Sequence, residues 1–107
     1  MDKVMSLLSL SRKAGKLTVG TDATLHAVKS GKAKCVLVTK DLSQKSRKNI
    51  TFACDERQTR LKELPYTMEE MEFWLGKRFG IMSVMDDGFC KGICDMLENE
   101  NGEERSV

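Results

Sequence analysis

Two short apolar runs constrain the fold of this chain more than any other feature. Residues 35–39 (CVLVT) and 81–85 (IMSVM) are continuous, contain β-branched side chains and are bounded by polar segments. Runs of this length are too short for buried helices and are typical of strands that are covered on both faces. The sequence therefore predicts a sheet whose inner strands lie between two layers of helices.

The segments around these runs repeat apolar residues at helical spacing. Val4 and Leu8 share one helix face. Met71, Trp74 and Leu75 share a face of another helix, which we expect to point to the core. The predicted helices cover about 3–14, 21–30, 44–57, 68–75 and 89–97, and the predicted strands cover about 17–19, 35–39, 60–64 and 81–85. This alternation predicts an α/β fold, a three-layer α/β/α sandwich around a small sheet.

The chain of 107 residues has the length of one domain. Helix and strand patterns run through residues 1–97, whereas the last ten residues (ENENGEERSV) have no apolar periodicity. We therefore predict a single domain over 1–97 and an acidic, disordered tail over 98–107. No run approaches the ~18 apolar residues of a membrane span, and no signal peptide is apparent, so we expect a soluble, cytoplasmic protein with no membrane partner.

Charge is divided unevenly along the chain, although the formal net charge is only +2. Residues 1–50 carry 11 Lys and Arg against three acids, and residues 51–107 carry seven against 13 acids. Phosphates attract clustered Lys and Arg, because binding releases counterions. The division predicts a polyanion partner on one face, and the alternative is a basic surface that serves solubility.

No group of residues predicts catalysis. His26, the only histidine, has no partner nucleophile or second histidine in a recognisable motif. Cys90 and Cys94 share a helix face, but two cysteines without histidine make a poor zinc site. We interpret them as small core residues, and a redox pair is the alternative. We interpret all four cysteines as thiols. The expectation is a non-enzymatic monomer with no cofactor, metal or small-molecule substrate.

The second predicted helix offers a surface for a partner. Asp22, His26 and Lys29 fall at i, i+4 and i+7 and form one polar face. The backbone N–H groups of Gly20 and Thr21 open this helix, an arrangement that suits a phosphate. The preceding residues supply a basic cluster, which consists of Arg12, Lys13 and Lys16. An ordinary amphipathic surface helix is the alternative, but it leaves that cluster unexplained.

Two longer stretches resemble a known family. SRKAGKLTVGTDATLHAVKSGKAKCVLVTKD (11–41) and TMEEMEFWLGKRFGIMSVMDDGFCKGI (67–93) resemble small bacterial members of the kink-turn-binding ribosomal protein superfamily of the L-seven-Ae/L-thirty-e type. The more specific elements are AGKLxxG, the helix opened by GT, SGKAK before a strand, and the TxEEM…LGK segment leading to MDDGF. The resemblance covers about residues 3–97 and implies an α/β/α sandwich around a four-stranded mixed sheet.

The resemblance also implies a binding site. In this superfamily the RNA is a duplex with a three-nucleotide bulge and tandem sheared G·A pairs. Residues after the GT turn read those pairs in the major groove, and the loop after the fourth helix covers the extruded bulge base. Carried over by position, the first group is Gly20, Thr21, Asp22, Ala23 and His26, and the second is Lys77, Arg78, Phe79 and Gly80. Lys13, Lys16 and Lys29 would add positive charge toward the phosphates, and Phe79 or Arg78 would stack on the unpaired base.

This chain departs from the superfamily at the base-reading positions. Strong kink-turn binders usually carry Asn-Glu at the positions of Asp22 and Ala23 and Lys at that of His26. The leading hypothesis is a non-enzymatic protein that binds a bent or bulged structured RNA in a ribonucleoprotein linked to the ribosome or translation. The alternatives are a protein-interaction adaptor that kept the fold but lost specific kink-turn recognition, and a freestanding relative of the substrate-recognition domain of some RNA methyltransferases.

Overall fold

The structure, a computed structural model, describes the backbone of residues 2–106 and the side chains of residues 2–99. Within these residues the predicted helices and strands are present in the predicted order. The helices are α1 (Lys3–Lys13), α2 (Thr21–Lys29), α3 (Gln44–Arg57), α4 (Met68–Leu75) and α5 (Asp87–Ser106), and the strands are β1 (Leu17–Val19), β2 (Cys35–Val38), β3 (Arg60–Glu63) and β4 (Ile81–Val84). Only the end of α5 lies far from its predicted position.

The four strands form one mixed sheet in the order β1-β4-β2-β3. β4 runs antiparallel to β1 and to β2, whereas β2 runs parallel to β3. The two apolar runs therefore supply the two inner strands, and every residue of β2 and β4 is buried. This arrangement confirms the α/β fold with a four-stranded mixed sheet.

Helices cover both faces of the sheet. α1, α4 and α5 pack on the face to which Cys35 and Leu37 of β2 point. α2 and α3 pack on the other face, which receives Val36 and Val38. Because successive strand residues point to opposite faces, a strand that is apolar throughout supplies both cores. The three-layer sandwich is thus a direct consequence of the continuous apolar run.

The cysteines lie inside these two cores. Cys35, Cys90 and Cys94 are buried in the core under α1, α4 and α5, and Cys54 is buried in the core under α2 and α3. All four are free thiols, as the sequence predicts. The neighbouring Cys35 thiol, followed by the guanidinium of Arg60, lowers the pKa of Cys94 to about 6 against the opposing effect of burial.

Local side-chain signals define several helix ends. The Ser43 hydroxyl accepts a hydrogen bond from the Ser46 N–H at 3.2 Å and caps α3. Thr67 and Glu70 form the predicted capping box at the start of α4. α3 ends at Arg57, and the next residue, Gln58, is its C-cap and adopts the left-handed conformation with φ 56°. These caps explain why the predicted bounds of α3 and α4 agree closely with the structure.

One face of α4 differs from the prediction. Met71 is fully buried and Leu75 is half-buried, but the Trp74 side chain is 39% exposed. Phe73 beside it is 77% exposed. α4 is only eight residues long and buries a narrow line through Met71, so the adjacent ring is left at the boundary with solvent. The expectation that Trp74 belongs to the core is therefore wrong.

α5 is longer than the sequence indicates. Its backbone remains helical to Ser106, whereas the predicted helix ends at residue 97 and the predicted tail begins at residue 98. Extending an existing helix adds a hydrogen bond per residue without a new nucleation step, so no apolar stripe is required. The side chains of residues 100–107 lie outside the described residues, and the disordered tail over 98–107 stays a prediction. Neither α5 nor any other described helix is long and apolar enough to cross a membrane.

Candidate nucleic-acid interface

One edge of the sheet brings the two predicted groups of binding residues together. Because β4 is antiparallel to β1 and β2, it begins where those two strands end. The Gly20 N–H donates a hydrogen bond to the Ile81 carbonyl at 2.9 Å, and the Thr39 N–H donates to the Gly80 carbonyl at 3.0 Å. The turn before α2 therefore lies beside the α4–β4 loop, residues 76–80. We call this end of the strands, which carries Gly20 and residues 76–80, the interface edge.

Gly20 sets the direction in which α2 leaves the sheet. Its φ of 102° and ψ of 159° belong to a region that is almost exclusive to glycine. Gly20 is also the N-cap of α2, and no side chain among the described residues caps this helix. The first N–H groups of α2 are therefore available to a ligand at exposed Thr21, Asp22 and Ala23.

The polar face predicted for α2 is present. Asp22, His26 and Lys29 are exposed, whereas Ala27 and Val28 are buried against the sheet. Residues four apart lie about 6 Å apart along a helix axis, so His26 lies one turn beyond Asp22. The face thus extends from the N-terminus of α2 along the surface and ends at Lys29.

The α4–β4 loop places only part of the second group at the surface. Lys77 and Arg78 are exposed, and the Arg78 guanidinium lies 3.7 Å from the Glu72 carboxylate. Gly80 is buried, and a Cβ there would lie 2.9 Å from Leu42 Cδ1 and 3.0 Å from Met68 Sδ. The positive charges of the loop are accessible, and its end is held inside by close packing.

Phe79 contradicts the stacking role implied by the resemblance. Its side chain is 5% exposed and belongs to the core under α1, α4 and α5. The Arg12 guanidinium lies over the ring, 5.8 Å from its centroid. A base therefore has no open ring face to stack on, and Phe79 is a packing residue that anchors the loop.

The sequence places Arg12 only in a general basic cluster with Lys13 and Lys16. Its guanidinium donates a hydrogen bond to the Leu75 carbonyl and covers Phe79. It thereby joins the last turn of α1 to the end of α4 and to the loop that follows. In the sequence, Arg12 is recognisable only as a basic residue in the last turn of a helix, where it interacts favourably with the helix dipole. That position does not reveal a hydrogen-bond partner on another helix.

The two lysines that follow Arg12 lie in different places. Lys13 is exposed and lines a shallow cleft of about 290 Å³ together with Arg12 and Trp74. Lys16 precedes β1 and its carbonyl accepts from the Met85 N–H, at the edge opposite Gly20. The structure thus brings Lys13, but not Lys16, to the side of the molecule that carries α4.

Phe73 and Trp74 form an exposed aromatic pair beside that cleft. Their ring centroids lie 5.0 Å apart and the rings are perpendicular. Neighbouring residues on a helix point about 100° apart, so the adjacent aromatics in the sequence were a signal that one of them faces outward. Trp74, rather than Phe79, is therefore the exposed ring that lines the cleft with Arg12 and Lys13.

Comparisons with known proteins agree with this architecture. The profile of the ribosomal protein L7Ae/L30e/S12e/Gadd45 family matches residues 2–91. The RNA-binding proteins YlxQ of Enterococcus faecium and Bacillus subtilis (strain 168) are each 29% identical, with alignments that cover 90% and 86% of this chain and 92% of each relative. A protein of unknown function from Bacillus halodurans C superposes with a TM-score of 0.84 at 23% identity, covering 92% of this chain and 99% of that one. The Giardia lamblia 15.5kD RNA binding protein superposes with a TM-score of 0.73 at 12% identity, covering 92% and 88%.

Proposed function

Because the chain belongs to the ribosomal protein L7Ae/L30e/S12e/Gadd45 family, we propose that it is a non-enzymatic RNA-binding protein. Its ligand is a bent or bulged structured RNA of the kink-turn type, and its role is linked to the ribosome or to translation. The observation that supports this most is the hydrogen bond from the Gly20 N–H to the Ile81 carbonyl. This contact joins the start of α2 and the α4–β4 loop into one surface. RNA-binding relatives of similar length support the same proposal.

The N-terminus of α2 is the part of this surface suited to base edges and phosphate. Its uncapped N–H groups favour an anion, and the exposed Asp22 carboxylate accepts hydrogen bonds from exocyclic amines of bases. Ala23 can make no side-chain hydrogen bond. We therefore propose a recognition of G·A pairs that depends more on the backbone of α2 than in the strong kink-turn binders.

Charge and stacking come from the α4 side of the surface. Lys13, Lys77 and Arg78 are exposed and would neutralise the phosphates that a kink brings close together. Trp74 lines the cleft with Arg12 and Lys13, so it takes over the base-stacking role that Phe79 cannot perform.

The test is a salt titration of RNA binding with matched charge variants. A kink-turn RNA, the same RNA with its G·A pairs replaced by Watson–Crick pairs, and a plain duplex are each titrated between low and physiological salt. The Lys77→Ala/Arg78→Ala double variant should reduce the slope of log K against log[salt] by about 1.5–2. Lys32→Ala/Lys34→Ala removes the same charge at the opposite edge and should leave the slope unchanged. Equal losses from both variants, or no preference for the kink-turn RNA, would overturn the proposed site.

A protein-interaction adaptor is the second candidate, because several large apolar side chains are exposed. These are Leu10, Phe52, Phe73 and Trp74. Docking of a protein through such side chains would respond little to ionic strength, whereas RNA binding should weaken steeply. The absence of RNA binding at low salt would favour the adaptor.

A further inference from the structure

Three of the four thiols meet at the edge of the sheet opposite the interface edge. Cys35 is the first residue of β2, and Cys90 and Cys94 lie one turn apart near the start of α5. The three Sγ atoms all lie within 4.8 Å of one another. In the sequence only Cys90 and Cys94 are close together, and two sulfur atoms are too few ligands for a metal site. The fold adds a third sulfur, that of Cys35, from a strand that is distant in the chain.

The spacing of the sulfur atoms matches thiolate coordination of a small metal ion. Zn–S bonds of about 2.3 Å in a tetrahedral site place the sulfur atoms about 3.8 Å apart. The thiols would need to approach one another by about 1 Å or less, which side-chain rotation can provide. Among the described residues no histidine or carboxylate belongs to this group. Ligands that are all sulfur select thiophilic ions such as Zn²⁺ over Mg²⁺ or Ca²⁺.

A cation lies beside the thiols and fits the charge of such a site. Arg60 is the first residue of β3 and is paired in register with Cys35. Arg60 and Cys90 also line the same surface cleft. Three thiolates around Zn²⁺ carry a net charge of −1, which one guanidinium balances.

The cluster is reached from solvent through a surface cleft. Cys35 and Cys94 are completely buried, whereas Cys90 is 8% exposed and lines a cleft of about 510 Å³. Arg60, Asp87 and Asp95 also line this cleft. The cleft therefore gives a water molecule a route to the cluster at Cys90.

We propose that Cys35, Cys90 and Cys94 form a three-thiolate binding site for Zn²⁺, completed by a water from the cleft. As each S–Zn bond forms, a thiol that still carries its proton releases it to solvent. The bound ion links α5 to β2, on the side of the molecule away from the proposed RNA surface. The site is independent of the proposed RNA-binding function, because it shares no residue with that surface.

The test is Zn²⁺ binding by the full chain under reducing conditions. Competition with a chromogenic chelator should give one equivalent of Zn²⁺, and Co²⁺ as a probe should give a sulfur-to-metal charge-transfer band in the near ultraviolet with tetrahedral d–d bands. Cys35→Ser and Cys94→Ser should each lose the bands and the stoichiometric binding. Cys54→Ser is the matched control, because it removes a buried thiol from the other core and should bind Zn²⁺ as the parent does.

Thermal melting separates loss of ligands from loss of fold. Zn²⁺ should raise the melting temperature of the parent and of Cys54→Ser, since a ligand that binds only the folded state stabilises it, and should leave Cys94→Ser unchanged. Circular dichroism establishes that each variant is folded, and the alanine variants replace any serine variant that is not. A folded parent that takes up no Zn²⁺, or a Cys94→Ser variant that binds it equally well, would overturn the proposal.

Discussion

At the scale of single residues, two aromatic side chains have environments opposite to those predicted. Trp74 of α4, expected in the core, is exposed, and Phe79 after α4, expected at the surface, is buried. A stripe of apolar residues predicts that one side of a helix is buried, but it does not fix how wide the buried strip is. Met71 lies at its centre, Trp74 lies at its margin, and Phe79 points inward from a loop that has no periodicity to analyse. The basic positions could be predicted as exposed because charge seldom tolerates burial. The aromatic positions could not, because an aromatic ring suits either environment.

Phe79→Ala should lower the free energy of unfolding by about 3–5 kcal/mol, because it removes a large ring from a closely packed core. Chemical denaturation of the variant and the parent measures this difference. A loss below about 1 kcal/mol, combined with a selective loss of affinity for bulged RNA, would instead return Phe79 to the binding surface.

Trp74→Ala should reduce affinity for a bulged RNA by about 1–3 kcal/mol, the usual contribution of one stacked base, and should leave binding to a plain duplex almost unchanged. Fluorescence anisotropy with both RNAs measures the two affinities. Phe52→Ala is the matched control, because Phe52 is an exposed aromatic on α3, on the other face of the sheet. The same loss for both variants would contradict a specific stacking role for Trp74.

At the scale of helices and strands, the sequence predicts the elements well, but it does not predict which of their ends lie side by side. Ser43 and the Thr67–Glu70 box define helix starts by local hydrogen bonds, which a pattern of neighbouring residues contains. The meeting of Gly20 with Ile81 depends on the insertion of β4 between β1 and β2. That strand pairing depends on packing between distant parts of the chain. The family resemblance therefore implied that the start of α2 and the α4–β4 loop form one site, whereas the residue pattern alone did not.

Gly20→Ala should lower the free energy of unfolding by about 1–3 kcal/mol, because a Cβ is strained at the backbone angles of this residue. The same strain would reorient the start of α2, so RNA affinity should fall even at temperatures where the variant is fully folded. Denaturation and RNA titration together test this. A variant with parental affinity would show that the turn before α2 does not contact RNA.

Gln58→Gly should act in the opposite direction and raise the free energy of unfolding by about 0.5–1 kcal/mol. Gln58 has a left-handed conformation at the end of α3, which costs a residue with a Cβ more than it costs glycine. Urea denaturation measures the gain, and Gln44→Gly, at the first residue of α3, should be neutral or destabilising. A loss of stability in Gln58→Gly would mean that the side chain makes contacts that outweigh the backbone strain.

At the scale of the whole molecule, charge decides which parts of the surface can approach a polyanion. Residues 98–107 contain four acids and one arginine and follow the part of α5 that packs on the sheet. Lys62 and Glu98 form an ion pair at 3.1 Å, with both side chains partly exposed. Exposed pairs of this kind contribute less than about 1 kcal/mol.

Removal of residues 98–107 should therefore change the free energy of unfolding by less than about 1 kcal/mol and should slightly tighten RNA binding at low salt, because fewer acids repel the phosphates. Melting curves and RNA titrations at two salt concentrations provide the measurement. A large loss of stability would show that the end of α5 packs against the domain.

The order of the strands in the sheet determines when, during synthesis of the chain, the interface edge can form. β1 is an edge strand whose only neighbour is β4, the last strand to be made, and β2 has only β3 beside it until then. Contacts between segments so distant in the chain form late, because a long loop must close first. A nascent chain that has not yet reached residue 84 therefore has its basic half exposed but no interface edge. A product that ends before β4 would keep the basic residues 1–50 but would lack the strand that holds the start of α2 beside the α4–β4 loop.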